Sequence, residues 1–192
     1  MKKLSWRVAL ASLAFLATFM APRVARASDP PAQGSFRAEL EIQINDLEKK
    51  LVSLAEAIPA DKYAWRPAEG VRSISEAFAH IAQSNYMFPS LLGVKAPDGI
   101  GNDLETKLTK KEEVVPALKQ SFQHLHAAIA GLTDADLAKP AKLFQRESSV
   151  LGTYLVAMGH LHEHLGQSIA YARMNGIVPP WTAEREAKQK PE

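Results

Sequence analysis

The sequence predicts an all-α chain folded as a four-helix bundle, and three observations predict it. Four stretches place apolar residues three and four positions apart, the spacing that lines one face of a helix. No stretch alternates well enough to read as a strand, and no repeat period runs through the 192 residues. Four apolar stripes of this length are buried most simply against one another, in a single antiparallel-type bundle.

The first helix is expected from a cap at Ser35, with Phe36, Leu40, Ile44, Leu47, Leu51, Leu54 and Ile58 on its stripe and Pro59 ending it. ADKYAWRPAEGVR reads as a connection, rich in turn residues, whose Tyr63 and Trp65 seal the bundle end. Ser73 with Glu76 three residues on is a capping box that opens the second helix, which runs to about Leu92. A polar, glycine-rich loop, GVKAPDGIGND, follows. Thr109 with Glu112 repeats the capping pattern, and Val115, Leu118, Phe122, Leu125, Ile129 and Leu132 form the third stripe. Pro116 predicts a late start or a kink there, because proline past the first turn removes a backbone hydrogen bond. The fourth helix is expected from about Ser149 to Asn175, with Gly176 as C-terminal cap and Pro179-Pro180 beyond it. The tail TAEREAKQKPE lacks an apolar face and is expected to fray.

Residues 1 to 27 read as a secretory signal peptide, with Lys2, Lys3 and Arg7 first, an apolar run from Val8 to Met20, and Ala25-Arg26-Ala27 before Ser28. The run is shorter than the roughly 20 residues of a membrane span, so cleavage is expected rather than anchoring. Residues 28 to 192 then form one domain, exported to the periplasm or the medium and free of the membrane. Without the five basic residues of the leader, the chain carries 18 basic against 21 acidic residues, which leaves no basic footprint for nucleic acid. The chain has no cysteine, so it has neither a disulfide framework nor a thiolate of its own, and any metal must be held by nitrogen and oxygen.

HLHEH, residues 160 to 164, holds three of the six histidines. On a helix, His160 and His164 stand about 40° apart and one turn removed, whereas His162 lies about 160° from each. The pair can therefore share an ion while His162 points away. Tyr154, Met158, Leu161, Leu165, Ile169 and Ala172 form the apolar arc, and the pair borders it beside Thr153, Ala157, Gln167, Ser168 and Tyr171. A helical histidine pair alone is a weak signal, and two half-buried imidazoles at a helix edge would explain it equally. A third ligand must come from another helix, and periodicity ranks His80, in EAFAHIAQ, narrowly above His126. His126 borders its stripe, and His124 is expected to face solvent.

HIAQSN around His80, HxxxHLGQ from His160 to Gln167, and then Tyr171, Arg173, Asn175-Gly176 and Pro179-Pro180 resemble the DinB-like (DinB/YfiT-like) family across essentially the whole mature chain. The resemblance implies a four-helix bundle carrying a divalent metal on His80, His160 and His164. It also implies kinship with cytoplasmic low-molecular-weight-thiol transferases or isomerases, from which an exported chain departs.

Three imidazoles leave a position open on zinc, the leading choice of metal, and nickel, iron or manganese also suit a histidine-only set. Water on zinc ionises near a pKa of about 7, so a hydrolase or transferase that activates water or a thiol is one expectation. A non-catalytic metal- or small-ligand-binding module is the alternative, because neither Glu163 nor Glu76 reads clearly as a proton acceptor. The partner is a small molecule that the sequence does not identify, and the chain is compatible with a homodimer.

Overall fold

In the computed structural model, residues 34 to 189 are described, and the expected leader lies outside them. The bundle consists of α1 (Phe36–Ala57), α2 (Ile74–Ser90), α4 (Lys111–Ala130) and α6 (Val150–Met174). Helices α1 and α2 each pack against both α4 and α6, so they stand across the bundle's diagonal from one another. Shorter pieces decorate this frame: α3 (Leu104–Lys107) on α2, α5 (Asp134–Leu137) beside α1 and α6, and α7 (Pro180–Lys188) on α1. Among the described residues no helix is long and apolar enough to cross a membrane.

The expected stripes build the core. Leu40, Ile44, Leu47, Leu51, Leu54 and Ile58 of the first segment meet Phe78 and Ile81, Leu118, Phe122 and Leu125, and Tyr154 and Leu161 in one cluster. Ser35 caps α1 by accepting from the Ala38 amide at 3.1 Å. The Asp134 carboxylate accepts from the Phe36 and Arg37 amides at 3.1 and 3.0 Å, so α5 satisfies donors that a helix N-terminus leaves open. The capping box of Ser73 and Glu76 is present. Tyr63 is buried and donates its hydroxyl to the Ala55 carbonyl at 2.7 Å, while the half-buried Trp65 sets its ring edge-on to Tyr171. Both seal the bundle end as expected. Gly176, at φ 75°, closes α6. The Ile177 amide reaches back to the Ala172 carbonyl at 2.9 Å and the Gly176 amide to Arg173 at 3.0 Å, a Schellman ending.

Four expectations need correction. Helix α4 begins at Lys111 with Lys110 as its cap, and Glu113 rather than Glu112 reaches back to the Thr109 and Lys110 amides. Pro116 sits inside that helix without delaying its start. The tail is not frayed throughout, since Pro179 and Pro180 restart the chain as α7, with Thr182 buried. Trp181 packs against the core, giving a short helix a hold that the polar sequence after it does not advertise. The fourth correction is a hairpin, β1 (Pro140–Leu143) with β2 (Arg146–Ser149), paired antiparallel through a two-residue turn at Phe144 and Gln145. Each strand has four residues, and Leu143 is the one side chain they bury, so no alternation marks them. Leu143 joins Phe88 and Ala157 in a small second core and fastens the hairpin beside α2 and α6.

Leu118 is fully buried between helices, so Leu118→Ala should lower unfolding free energy by about 2–5 kcal/mol in urea titrations. Tyr63→Phe, which removes one hydrogen bond to a buried carbonyl, should cost about 1–3 kcal/mol.

Candidate metal centre

Position 80 falls two turns into α2, after the capping box has set the register of that helix. Positions 160 and 164 fall one turn apart in the middle of α6. Because α2 and α6 are neighbours, the three rings meet between them, each offering a nitrogen within 4.8 Å of the others. Ring centroids lie 5.0 Å apart for His80 and His160, 4.8 Å for His80 and His164, and 4.4 Å for His160 and His164. His164 is buried and the other two are half-buried. His162 is exposed, and its Nδ1 rests 3.0 Å from the Met158 carbonyl of its own helix.

The remaining histidines stay apart from this cluster. His126 is paired with Glu48 at 2.8 Å, between α4 and α1. His124 does not face solvent as expected. It is half-buried, its ring centroid 5.1 Å from that of Tyr86, and burial lowers its pKa.

Two of the three imidazoles have their Nδ1 atoms engaged. Glu105, on α3, lies 2.8 Å from His80 Nδ1 and Arg72 Nη2 lies 3.2 Å from it; the shorter contact is to a carboxylate, which only accepts, so it places the proton on Nδ1. Arg72 donates to both carboxylate oxygens of Glu105, at 2.7 and 3.3 Å. Burial alone would raise the Glu105 carboxyl, but hydrogen bonds from Arg72 and His80 outweigh it and hold the group below its usual range. Likewise His164 Nδ1 donates to Gln167 Oε1 at 2.8 Å, and the Gln167 amide donates to the Tyr171 hydroxyl at 2.9 Å. Both arrangements leave Nε2 as the free lone pair. This is how partners beyond a metal's ligands fix the tautomer of a ligating histidine.

His80 Nε2 and His160 Nε2 stand 3.0 Å apart. With the His80 proton on Nδ1, the proton of this contact comes from His160. The Ser84 hydroxyl is 3.4 Å from the same His160 nitrogen, and His160 Nδ1 is buried without a partner. Nitrogens bound to one tetrahedral ion at zinc-like distances lie about 3.3 Å apart, so this donor set fits a divalent ion taking the place of the shared proton.

Electrostatics favours neutral rings. Burial, followed by the neighbouring His164, His80 and Arg72, pushes the His160 pKa down to about 4. Burial and then Arg72 lower that of His80, against the opposing pull of Glu105. Metal ligation needs unprotonated imidazole, and here the fold supplies it before any ion arrives.

His80 and His160 also line a cleft of about 740 Å³, within the range of small-molecule sites. Glu163 is the one carboxylate among its lining residues, though it lies to the side of the ligand pair on α6. Glu76 is occupied elsewhere, bonded to the Ser73 amide at 2.7 Å and to Arg66 at 2.9 Å.

Gln167 and Tyr171 stand where the helical wheel placed them, whereas Glu105 and Arg72 had no signal in the sequence. Glu105 is 25 positions from His80, in a segment whose pattern shows only a polar turn. Its role exists because α3 folds onto α2, where the Gln83 side chain accepts from the Leu104 amide at 3.1 Å.

The depressed His160 pKa has a stability consequence with a definite sign. Between pH about 6.5, the unfolded value, and about 4, the unfolded chain binds a proton that the folded chain refuses. Stability of chelator-treated protein should therefore fall as pH drops through that window. Urea midpoints at pH 7.5 and 5 test this, and the pH-dependent loss should shrink in His160→Gln.

Comparison with known proteins places the chain. The family model described as the DinB superfamily matches residues 43 to 168. An uncharacterized protein of Bacillus subtilis strain 168, YjoA, is 28% identical over 127 residues, spanning 64% of this chain and 80% of that protein. Its crystal structure superposes with a TM-score of 0.59 over 73% of this chain and 93% of YjoA, at 23% identity. A DinB-like protein from Bacillus cereus ATCC 10987 gives 0.67 at 15% identity, covering 74% of this chain and 95% of that one. A conserved protein from Enterococcus faecalis gives 0.60 at 12% identity, covering 72% and 96%. With its family model matched across both histidine-bearing segments and its bundle shared by solved relatives, the chain belongs to the DinB superfamily.

Proposed function

We propose that His80, His160 and His164 bind one divalent metal ion, zinc before nickel, iron or manganese, and that the site acts on a small molecule entering from the adjoining cleft. One observation carries this reading: three imidazoles converge with two of their Nδ1 atoms held by Glu105 and Gln167. A divalent ion in place of the proton that His160 shares with His80 would gain from all three rings at once, which is the donor set of catalytic zinc sites. A divalent ion held by these residues would supply Lewis acidity.

The chain's own residues do the rest. Glu105 holds the His80 ring in register and offsets the charge of Arg72, and the Gln167–Tyr171 pair does the same for His164. Phe88, whose ring centroid is 5.7 Å from that of His160, shields one side from water. The reaction class is a hydrolysis or a group transfer, with Glu163 as the carboxylate on the cleft wall. The engagement of Glu105 and Glu76 with other groups favours a second reading, a non-catalytic metal- or ligand-binding module. Turnover abolished by His160→Ala in a screen of esters, amides and thiol acceptors would exclude that second reading.

We also infer that residues 1 to 27 direct export to the periplasm or beyond, supported by the order of basic, apolar and small residues.

Elemental analysis should find about one metal ion per wild-type chain, none in His80→Ala or His160→Ala, and the wild-type content in His162→Ala. Loss in His162→Ala with retention in His80→Ala refutes the assignment. Glu105→Ala should weaken affinity about 10- to 100-fold in chelator competition while the fold survives. N-terminal sequencing of protein from the exported fraction should read from Ser28; an intact Met1 in the cytoplasm refutes export.

A further inference from the structure

Phe144 combines two unfavourable features. Its side chain is 56% exposed, and its backbone sits at φ 54°, making it the one non-glycine residue with positive φ among the described residues. Bulky residues rarely adopt this conformation, and at the first position of a two-residue hairpin turn glycine or asparagine would serve the fold better. Neither exposure nor strain contributes to stability. Residues held this way cluster at active sites and ligand clamps.

The location of Phe144 supplies the function. It lines the cleft that reaches His80 and His160, together with Met87, Phe88 and Val156. Val156 is exposed as well, at 39%. The neighbouring Leu143 is locked into the small core with Phe88 and Ala157, so the hairpin tip is held at the cleft rather than waving beside it. The cleft thus has two chemically distinct parts, an apolar wall and a floor bearing His80 and His160.

We propose that the cleft selects a small molecule with a ring-sized apolar arm, and that Phe144 is the residue that reads this arm. The polar head of the molecule faces the histidines while the arm lies against Phe144, Met87 and Val156. This deepens the metal-site reading and rests on it for the placement of the head; the arm's pocket is independent of the ion.

Two hydroxamates separate head from arm, since both direct the same chelating group at a metal and differ in the arm. Calorimetry on zinc-loaded protein should show benzohydroxamate binding about 10-fold tighter than acetohydroxamate, the gain expected from burying a phenyl ring. Phe144→Gly, which also relieves the positive φ and so preserves the fold, should bring the two affinities to within about 3-fold through loss on the benzohydroxamate side alone. Zinc content should not change. Phe36→Ala, at an exposed phenylalanine on another face, should leave the preference intact. Equal affinities in the wild type, or a preference that survives Phe144→Gly, overturns the proposal. A chain that takes up no zinc instead defeats the metal reading. The arm is then decided by the neutral fluorophore N-phenyl-1-naphthylamine: enhancement lost in Phe144→Gly supports the pocket, and enhancement unchanged or absent in both proteins overturns it.

Discussion

Three imidazoles share one small, partly desolvated space between α2 and α6, their nitrogens within 4.8 Å of one another, and much of the structure around them answers to that crowding. A proton on one ring would face two other rings and the Arg72 guanidinium in a partly desolvated space, which is why the His160 pKa falls to about 4. Neutral rings must still be oriented. Glu105 and Gln167 supply that orientation, and each depends on a further element. Arg72 anchors Glu105 from the connection before α2, while Gln167 bonds Tyr171, whose ring meets Trp65 of the same connection. The segment between α1 and α2 thus seals the bundle and also braces both histidine-bearing helices.

The bundle's diagonal arrangement has a consequence for the site. With α1 and α2 opposite one another, the connection from residue 58 to 73 must cross the bundle end, carrying Tyr63, Trp65 and Arg72 over it. A bundle with α1 and α2 adjacent would not need this strap. The solved relatives share the bundle at 12 to 23% identity, so it tolerates wide change in sequence. At such identities the likeness carries the fold, and the chemistry rests on the residues of this chain.

The hairpin illustrates a different relation between fold and function. With α1 and α2 on one diagonal, α4 and α6 occupy the other, so the passage between them must also cross the bundle. Here that passage contains α5 and a hairpin whose one buried side chain, Leu143, fixes the adjacent Phe144 at the mouth of the cleft. Four-residue strands without alternation leave no trace in a hydrophobic pattern, so this part of the cleft was invisible to periodicity. The same limit hid α7, where one buried threonine and a packed tryptophan, rather than an apolar face, hold the helix.

The sequence by itself determined the four long helices and their inward faces, because a 3.6-residue period and local caps are properties of neighbouring residues. The pairing of His160 with His164 and the exclusion of His162 follow from the same geometry, since positions on one helix are fixed relative to one another. His80 was ranked only narrowly by periodicity, and His126 remained its rival until packing brought α2 against α6 and left His126 with Glu48. Glu105 and Phe144 were decided by tertiary structure alone. Their contacts join segments far apart in the chain, and no local pattern records which distant group a side chain will meet.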